Sequence, residues 1–353
     1  MKALNMYGVG DIRFEEVPMP EPAADEALLK VLAVGICGSD VPRMFSKGVK
    51  RYPMIIGHEF AGEIVAVGDS VDPRLAGRRA AVFPLLPCFK CPPCLEKDYA
   101  SCRDYDYYGS RRDGAFAEYI AVKEWNLVPL PDNVPTMAAA MMEPCAVAVH
   151  SIGKSGLKRG DTVCVFGAGA IGLILARIAY LQGAKNVMVL DVDETKLEFT
   201  RGLGFKHAYN SRGGEYLDAL LSITEGKGAD ICFDAAGVPA AVVGCFNAAR
   251  PSGTVVLMGN PSGDMPFSQD DYWTILRKQL TLKGTWNSSY GGYAGNDWDK
   301  ALKYISSGKL DLCGLITHTF PLEDADKAFA LTRDNSGFYV KVMFLPQGKE
   351  PVR

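Results

Sequence analysis

Four cysteines in one short loop form the clearest chemical pattern in this sequence: Cys88, Cys91, Cys94 and Cys102. Prolines flank the first three, so their thiolates can converge from a single turn-rich segment. Four converging thiolates are typical of tetrahedral zinc, and such a closed site leaves no position for a substrate. A pair of disulfides is the alternative, and a reducing compartment would disfavour it. We therefore expect a structural zinc site in this loop and chemistry elsewhere.

A thiol, an imidazole and a carboxylate from distant segments offer a second metal site. The thiol is Cys37 in a Cys-Gly-Ser-Asp segment, the imidazole is His58 in Gly-His-Glu, and the carboxylate is Glu143 in Met-Glu-Pro. A lone cysteine or histidine is more often packed in a core than bound to a metal. Together, the three would form an open zinc site with room for water or substrate, and Asp40 could orient the His58 ring. The spacing alone leaves both interpretations open.

A glycine-rich turn follows an apolar, strand-like run that ends at residue 166. Gly167, Gly169 and Gly172 form a Gly-x-Gly-x-x-Gly pattern, and Ala170 and Ile171 begin the apolar helix that follows. Between a strand and a helix, such glycines permit a tight turn and the close approach of a pyrophosphate to free N–H groups at the helix start. This context predicts a dinucleotide site. The alternative is a glycine turn that packs without a nucleotide.

The type of dinucleotide is indicated about 20 residues further on, where the next apolar strand ends at Asp191. A carboxylate at that place is expected to meet the adenosine ribose and to repel a 2′-phosphate, so NAD is favoured over NADP. Asp193 adds negative charge, and no arginine directly follows Asp191. Lys196, on the following helix, could reach the same ribose, although a plain surface lysine explains it equally well.

The composition is that of a globular protein with more than one domain. The chain has 353 residues, of which 48% are hydrophobic and 22% charged, with a formal net charge of −3. This length predicts two domains, and the charge balance gives no reason to expect nucleic acid or a membrane surface as a partner. No apolar signal core and no apolar run of membrane length is present, and the six other cysteines are scattered. These features predict a cytoplasmic protein.

Hydrophobic patterning divides the chain into three stretches. Up to about residue 146, short β-branched runs separated by turn residues predict an all-β, barrel-like unit. From 147 to 285, strand-like and helix-like segments alternate, which indicates βαβ units and a parallel sheet. From 286 onward, a Gly/Ser/Tyr-rich loop leads to a helix near 297–306 and a final strand at 339–345.

Taken in their order along the chain, these motifs resemble the zinc-dependent medium-chain dehydrogenase/reductase family, and within it the polyol dehydrogenase branch. The resemblance covers essentially the whole chain. It implies an α/β Rossmann domain with a doubly wound parallel sheet at 147–285 and a GroES-like β-barrel catalytic domain at 1–146. The structural zinc lobe would span 84–104, and residues 286–353 would return to the catalytic domain.

The resemblance also implies a role for each candidate residue. Cys37, His58 and Glu143 would hold a catalytic zinc, with Glu59 as an alternative or exchangeable ligand, and the four loop cysteines would hold a second, structural zinc. NAD would accept the hydride. Ser39 would receive the alcohol proton, because Pro42-Arg43 stands where many relatives carry a proton-relay histidine.

The expected substrate is a small polyol or polyol phosphate, oxidised at a secondary alcohol to a ketose. Segments around the four-cysteine loop, Gly109 and Trp286 resemble members of the branch that oxidise galactitol 1-phosphate to tagatose 6-phosphate in galactitol metabolism. Arg43, Arg111 and Arg112 are the candidate phosphate-binding cations, although a paired arginine is usually a solvated surface feature. Sorbitol or L-iditol, 2,3-butanediol and L-threonine are the alternative substrates.

Two further expectations concern the class and assembly of the protein. A non-catalytic NAD-binding scaffold is the alternative to an enzyme, but a scaffold has no use for an open zinc site. The family resemblance implies a homodimer or homotetramer, and residues 262–273, with several aromatic side chains among polar ones, are the candidate contact region.

Overall fold

The computed structural model describes residues 1–261, 263–291, 294–334 and 336–348. The chain divides into two compact units, Met1–Pro144 with Ser289–Arg353, and Cys145–Ser288. Ser262, the first residue of the expected contact region, lies outside the described residues. Within the described residues, no helix is long and apolar enough to cross a membrane.

The first unit begins with ten strands and three short helices. The strands are β1 (Lys2–Gly8), β2 (Asp11–Glu16), β3 (Glu26–Gly35), β4 (Met54–Ile55), β5 (Glu59–Val67), β6 (Arg79–Val82), β7 (Leu85–Leu86), β8 (Asp106–Tyr107), β9 (Tyr119–Lys123) and β10 (Leu127–Pro129). The helices are α1 (Asp40–Pro42), α2 (Pro92–Leu95) and α3 (Thr136–Ala140). Buried and partly exposed residues alternate along most of β3, so one face of this strand packs on the core.

The second unit alternates strands and helices around a six-stranded parallel sheet. Its elements are α4 (Met142–Ser155, of which the first three residues still belong to the first unit), β11 (Thr162–Phe166), α5 (Ala170–Leu181), β12 (Asn186–Asp191), α6 (Glu194–Gly202), β13 (His207–Asn210), α7 (Glu215–Ile223), β14 (Ala229–Asp234), α8 (Pro239–Ala248), β15 (Ala249–Leu257), α9 (Gln269–Lys278) and β16 (Thr281–Gly284). The strand order is β13-β12-β11-β14-β15-β16, and every pair is parallel. All five residues of β11 are buried, as expected for a strand covered on both faces. This is the predicted doubly wound sheet.

The chain then returns to the first unit through α10 (Asp297–Ser306), β17 (Ile316–Phe320), α11 (Ala325–Asp334) and β18 (Lys341–Phe344). β18 and β17 complete a seven-stranded sheet in the order β10-β6-β5-β3-β18-β17, with β9 paired to β3. A three-stranded sheet, β2-β1-β4, and the pair β7-β8 complete the unit. Its core includes Leu29, Phe60, Phe116 and Phe344.

Three neighbouring strands, β5, β3 and β18, bring the candidate site together at one end of the seven-stranded sheet. Gly35, at the end of β3, is paired with Glu59 at the start of β5 and with Met343 of β18. β5 begins at Glu59, whose carboxylate is buried against a cation from β18 that the neighbouring sequence does not reveal.

Candidate metal centre and cofactor site

The loop of four cysteines places its sulfur atoms close together without forming a disulfide. All four Sγ atoms lie within 4.8 Å of one another. The separations are 3.5 Å for Cys91–Cys94, 3.9 Å for Cys91–Cys102 and 4.0 Å for Cys88–Cys94. A Zn–S bond of about 2.3 Å in a tetrahedron requires sulfur atoms about 3.8 Å apart. The loop therefore fits a closed zinc site.

Backbone N–H groups in the same loop favour the thiolate form of Cys88 and Cys91, whereas burial raises the pKa of Cys94 to about 12. The N–H groups of Arg103 and Cys94 that point at the Cys91 sulfur lower the pKa of this thiol to about 6. The N–H of Lys90 lowers the pKa of Cys88 in the same way. Four thiolates without a cation would repel one another, so this arrangement is suited to a divalent metal.

The second set of ligating groups lies at the end of the sheet. Ligand atoms of Cys37, His58 and Glu59 all lie within 4.8 Å of one another. Cys37 follows β3, His58 precedes β5 and Glu59 begins β5, so the pairing of these two strands brings the three together. Glu143, the carboxylate expected from the sequence, is not a member of this set and lies nearby, beside the ring of Tyr107.

Asp40 and Arg43 connect the residues around Cys37 into a partly buried hydrogen-bond network. The Asp40 carboxylate accepts a hydrogen bond from the Cys37 N–H at 3.0 Å and from Arg43 Nη1 at 3.1 Å. The same Arg43 nitrogen donates to Ser39 Oγ at 2.8 Å, and Ser39 donates to Cys37 Sγ at 3.3 Å. Ser39 is therefore held between a cation and the sulfur ligand, with one lone pair of Oγ still available for a substrate hydroxyl.

His58 is buried beside the same carboxylate. Its Nδ1 lies 3.1 Å from Asp40 Oδ1, but the N–H direction departs from that oxygen, and the described residues offer Nδ1 no well-aligned hydrogen bond. Burial alone would lower the pKa of His58, but the negative charges of Asp40 and Cys37 outweigh it and hold the pKa well above its usual value. Burial raises the pKa of Asp40, and its neighbours His58 and Arg43 more than compensate.

Glu59 and Lys341 form a buried ion pair that sequence reasoning missed. Lys341 Nζ lies 2.6 Å from Glu59 Oε2 and also donates to the carbonyl of Ile36 at 3.2 Å. Burial lowers the pKa of Lys341, but the Glu59 carboxylate outweighs this effect, and the net pKa is raised. A signal for this residue was present, because Lys341 is the single charge in an otherwise apolar final strand, and a buried lysine requires a partner.

Glu143 is the second buried carboxylate beside the site. Burial raises its pKa to about 7, with a further contribution from the negative charge of Glu59. Tyr107 donates to Glu143 Oε1 at 3.3 Å, and its ring lies edge-on to His58 with centroids 5.7 Å apart. Sequence reasoning also missed Tyr107, because a run of tyrosines gives no local sign of which one faces the site.

The balance of charged side chains around Cys37, His58 and Glu59 shows whether a divalent metal fits there. The acidic groups outnumber the cations by four to two: they are Cys37, Asp40, Glu59 and Glu143 against Arg43 and Lys341. With these six groups ionised and His58 neutral, as a metal ligand must be, the cluster carries two surplus negative charges, which are costly to hold away from water without compensation. A divalent cation between a thiolate, an imidazole and a carboxylate would remove the surplus. The residues therefore fit zinc, in a site that its protein ligands leave open.

The glycine turn of the second unit has the geometry that a pyrophosphate requires. Gly167 has a φ of +115°, and a Cβ at Gly172 would collide with the Gly167 carbonyl oxygen, so only glycine fits either position. A Cβ at Gly169 would meet nothing within 4 Å, which leaves open space beside the backbone. Ala170 and Ile171 begin α5, whose first N–H groups have no side-chain cap. The turn can hold an anion.

Asp191, the last residue of β12, is fixed by three backbone N–H groups. Ala168 donates to its Oδ2 at 2.7 Å, and Val192 and Asp193 donate to its Oδ1 at 2.8 and 3.0 Å. The carboxylate therefore stands beside the glycine turn in one orientation. Asp193 caps α6, and Lys196 lies in the first turn of that helix with its backbone N–H 3.4 Å from Asp193 Oδ1.

The three candidate phosphate-binding arginines occupy different surroundings. Arg43 lies beside Ser39, and Nε and Nη2 of its guanidinium have no partner among the described residues. Arg111 stacks on Tyr105, 3.7 Å from the ring centroid. Arg112 pairs with Asp106 at 2.8 Å and lines a cavity of about 470 Å³ whose walls contain none of the metal-competent residues. Only Arg43 is therefore brought to the candidate metal centre.

Comparison with known proteins agrees with these features. The alcohol dehydrogenase GroES-like domain family matches residues 23–132, and the zinc-binding dehydrogenase family matches residues 170–307. Galactitol 1-phosphate 5-dehydrogenase of Escherichia coli K12 is 36% identical over 320 residues, 90% of this chain and 92% of the relative. Sorbitol dehydrogenase of Bacillus subtilis is 33% identical over 98% of this chain and 97% of the relative.

Among solved structures, the chain is likewise similar to dehydrogenases. The chain matches galactitol-1-phosphate dehydrogenase from Escherichia coli with a TM-score of 0.90 at 36% identity, over 98% of this chain and 100% of the other. Two further matches contain a nicotinamide cofactor. A zinc-binding dehydrogenase from Sinorhizobium meliloti 1021 bound to NADP has a TM-score of 0.89 at 28% identity, and a short chain alcohol dehydrogenase from Escherichia coli CFT073 in complex with NADH has 0.87 at 30%. Each covers 98% of this chain and 99% of the other.

We predict two zinc ions per chain with separable roles. Cys94→Ser should remove one zinc and lower the melting temperature by several degrees, since loop structure depends on that metal, while correctly folded protein retains activity. Cys37→Ser should remove the other zinc and abolish turnover with little loss of stability. Cys313→Ser, outside both sets, is the control and should retain both metals. Metal analysis and thermal unfolding measure these outcomes, and fully active protein with a single zinc would contradict the two-site assignment.

Proposed function

Because the chain belongs to the zinc-dependent medium-chain dehydrogenases, enzymes that use zinc and a nicotinamide cofactor, we propose that it oxidises galactitol 1-phosphate to tagatose 6-phosphate with NAD. The observation that carries the proposal is the position of Arg43. Its Nη1 donates to Ser39 and Asp40, beside the candidate metal ligands. Nε and Nη2 have no protein partner among the described residues.

We assign the catalytic metal to Cys37, His58 and Glu143, with Glu59 as the exchangeable carboxylate. A zinc ion held there supplies a Lewis acid for the substrate hydroxyl, and NAD supplies the acceptor for the hydride. The protein residues position these groups. Asp40 lies beside His58 Nδ1 and accepts a hydrogen bond from the Cys37 N–H. The second unit binds the cofactor through the turn at Gly167 and the carboxylate of Asp191.

Ser39 is the residue that we propose to receive the alcohol proton. Its hydroxyl hydrogen points to Cys37 Sγ, and its oxygen accepts from Arg43, so the remaining lone pair can accept from the substrate. The adjacent guanidinium stabilises negative charge that develops on oxygen as the proton leaves. A neutral hydroxyl that takes up this proton must release its own hydrogen at the same time. Because Pro42 has no ionisable group, Ser39 must turn its hydrogen away from Cys37 Sγ and pass it to water or to hydroxyl groups of the ligands.

Arg43 supports a phosphorylated substrate because a phosphate dianion requires fixed cations. The pairing of Nη1 with Asp40 and Ser39 limits the motion of the side chain, and a restrained guanidinium binds an anion at lower entropic cost. Galactitol 1-phosphate 5-dehydrogenase of Escherichia coli, at 36% identity, adds to this support.

An unphosphorylated polyol such as sorbitol is the second candidate substrate. The observation in its favour is that Arg43 Nη1 lies 3.1 Å from Asp40 Oδ1. This carboxylate already neutralises the charge of Arg43, which would weaken the attraction of the guanidinium for a second anion. Sorbitol dehydrogenase of Bacillus subtilis, at 33% identity, is the corresponding relative. Both candidates require the same metal centre and the same cofactor, so only the substrate distinguishes them.

We further propose that the protein works in a reducing compartment such as the cytoplasm, as a homodimer or homotetramer. All ten cysteines are free thiols. β16 is an edge strand of the parallel sheet, and no residue of α9 beside it is buried. Exposed apolar side chains cluster there, namely Phe267, Tyr272, Trp273, Leu276, Leu282 and Trp286. Pairing of β16 with its symmetry mate would remove the open edge and cover these groups.

The substrate assignment predicts a selective effect at Arg43. Arg43→Ala should lower kcat/KM for galactitol 1-phosphate about ten- to a hundred-fold more than for sorbitol, because one charge-assisted contact is worth about 1.5–3 kcal/mol. Both substrates should also lose some activity in common, since Arg43 holds Ser39. Arg333→Ala, which removes an exposed arginine paired with Asp334, is the matched control. Equal losses on the two substrates, or a wild-type preference for sorbitol, would contradict the phosphate assignment.

The cofactor assignment predicts discrimination at Asp191. The wild type should prefer NAD over NADP by about 100-fold or more in kcat/KM, because a 2′-phosphate beside this carboxylate costs several kcal/mol. Asp191→Ala should narrow the ratio to about tenfold or less, since it removes the repulsion and frees three N–H groups that can bind the phosphate. Glu194→Gln, which alters a neighbouring exposed carboxylate, should leave the ratio unchanged. Comparable use of both cofactors by the wild type would show that Asp191 does not meet the ribose.

The assembly proposal predicts that charges at the exposed edge separate the subunits. Trp273→Lys combined with Leu282→Lys should shift the protein toward monomers, because like charges would then meet across a two-fold axis. Leu181→Lys, at an exposed apolar position on α5, should leave the assembly intact. Light scattering at micromolar concentration measures the mass, and a monomeric wild type would contradict the proposal.

A further inference from the structure

Lys341 is a buried cation at the metal centre that the mechanism above does not use. Its side chain is 5% exposed, and that of its partner Glu59 is 1% exposed. Lysine is almost never buried to this extent unless an anion accompanies it. The ammonium also donates to the Ile36 carbonyl, so the end of β3 fixes its position as well as the carboxylate does. An ammonium held in this way beside the candidate metal ligands can influence which carboxylate binds the metal.

Two carboxylates are available for one coordination position. Glu59 belongs to the compact set with Cys37 and His58, and Glu143 stands beside Tyr107. If both carboxylates bound the metal together with the thiolate and the imidazole, four protein ligands would close the site, and a closed site has no position for a substrate. The reaction therefore requires that one of the two stay off the metal while substrate is bound.

Backbone and cation together define where Glu59 is held. The Oε2 atom lies where a side chain at residue 35 would be, so the carboxylate rests on the bare backbone of Gly35. On its other side, Oε2 faces the Lys341 ammonium at 2.6 Å. An ammonium and a divalent cation compete for the same carboxylate, and charge shared with the ammonium makes the oxygen a weaker metal donor.

We propose that Lys341 is a positioning residue that holds Glu59 as a counter-ion and keeps it from becoming a permanent metal ligand. This inference rests on the proposed function, since it requires a metal on Cys37, His58 and Glu143. With Lys341 in place, the coordination position that Glu59 could fill stays open for the substrate hydroxyl. Without the ammonium, the metal is the nearest cation to the Glu59 carboxylate, which then binds it and blocks that position.

The experiment uses the enzyme loaded with Co²⁺, whose visible absorption reports the number and the type of its ligands. Subtracting the spectrum of Cys37→Ser removes the contribution of the four-cysteine site. Lys341→Met should shift the d–d bands, as expected when the Glu59 carboxylate replaces water in the open position, and should lower kcat/KM for the polyol about ten- to a hundred-fold. Lys341→Met combined with Glu59→Gln should restore the wild-type spectrum, because the blocking carboxylate is gone. Lys341→Arg, which keeps the cation, should resemble the wild type.

Two controls separate this role from a merely structural one. Lys123→Met removes a lysine that pairs with Asp25 at 2.7 Å in the same unit and should change neither the cobalt spectrum nor kcat/KM. Glu59→Gln alone should retain cobalt with an unaltered spectrum, because the proposal keeps Glu59 off the metal. This second variant tests the proposal even if Lys341→Met does not fold.

The outcomes are distinguishable. An unaltered spectrum in folded Lys341→Met, or loss of the cobalt bands in Glu59→Gln, would overturn the role of Lys341 and leave the metal assignment in place. If Cys37→Ser instead retains both metal ions, the proposed metal centre is itself wrong, and the inference falls with it.

Discussion

The arrangement of the first unit depends on six charged groups around one point, of which Asp40, Glu59, Glu143 and Lys341 are buried. Moving a charged group out of water costs several kcal/mol, and mutual attraction offsets this cost only when the charges balance and the geometry is good. Here the acidic groups exceed the cations by two, so the cluster is stable in its ionised form only around a divalent metal. The negative charges of Asp40 and Cys37 outweigh burial and raise the pKa of His58, whereas the raised pKa of Glu143 comes mainly from burial, with a smaller contribution from the charge of Glu59.

This requirement explains why the chain must return to the first unit after the parallel sheet. Lys341 lies 282 residues after its partner Glu59, and it reaches that partner because β18 inserts beside β3. A first unit without its last strand would leave the Glu59 carboxylate buried without a cation and would open the sheet next to β3. The return of the chain therefore supplies both a strand and a charge to the site. Folding of the metal centre is correspondingly a long-range event, and such contacts form slowly because the loops that they close are long.

The sequence predicted the features that short motifs encode. The two fold types and the enzyme class were predicted correctly, because cysteine spacing, the glycine turn and the alternation of strand and helix are each local patterns with one dominant physical explanation. The ion pair of Lys341 and the contact of Tyr107 with Glu143 were not predicted. In both cases the two residues are far apart in the sequence, and the residues around each one do not indicate its partner. Only the folded chain brings them together.

The arginines show a different limit of sequence reasoning. Arg111 and Arg112 are adjacent, so they looked equivalent as phosphate ligands, yet their side chains leave the backbone in different directions. One stacks on Tyr105, and the other pairs with Asp106 and lines a separate cavity. Spacing defines which face a residue occupies only inside a regular element, and these two lie in a loop. Arg43 differs from both, because it lies in a helical segment shortly after Cys37 and its Nη1 reaches Ser39 and Asp40.

The two candidate sites differ in how their specificity is built. At Asp191, three backbone N–H groups within a short stretch and one neighbouring turn fix the carboxylate, so a single substitution is enough to remove the charge that discriminates between cofactors. At the metal centre, the Glu59 carboxylate is matched by an ammonium from a distant strand, so removing either group leaves its partner buried and unpaired. Changes in cofactor preference are therefore accessible through one residue, whereas changes at the metal centre require compensating pairs, such as Lys341 with Glu59. The substrate end lies between these cases: Nε and Nη2 of Arg43 are available to a ligand, but Nη1 is paired with the buried Asp40, so a change of this residue affects substrate binding and the metal centre together.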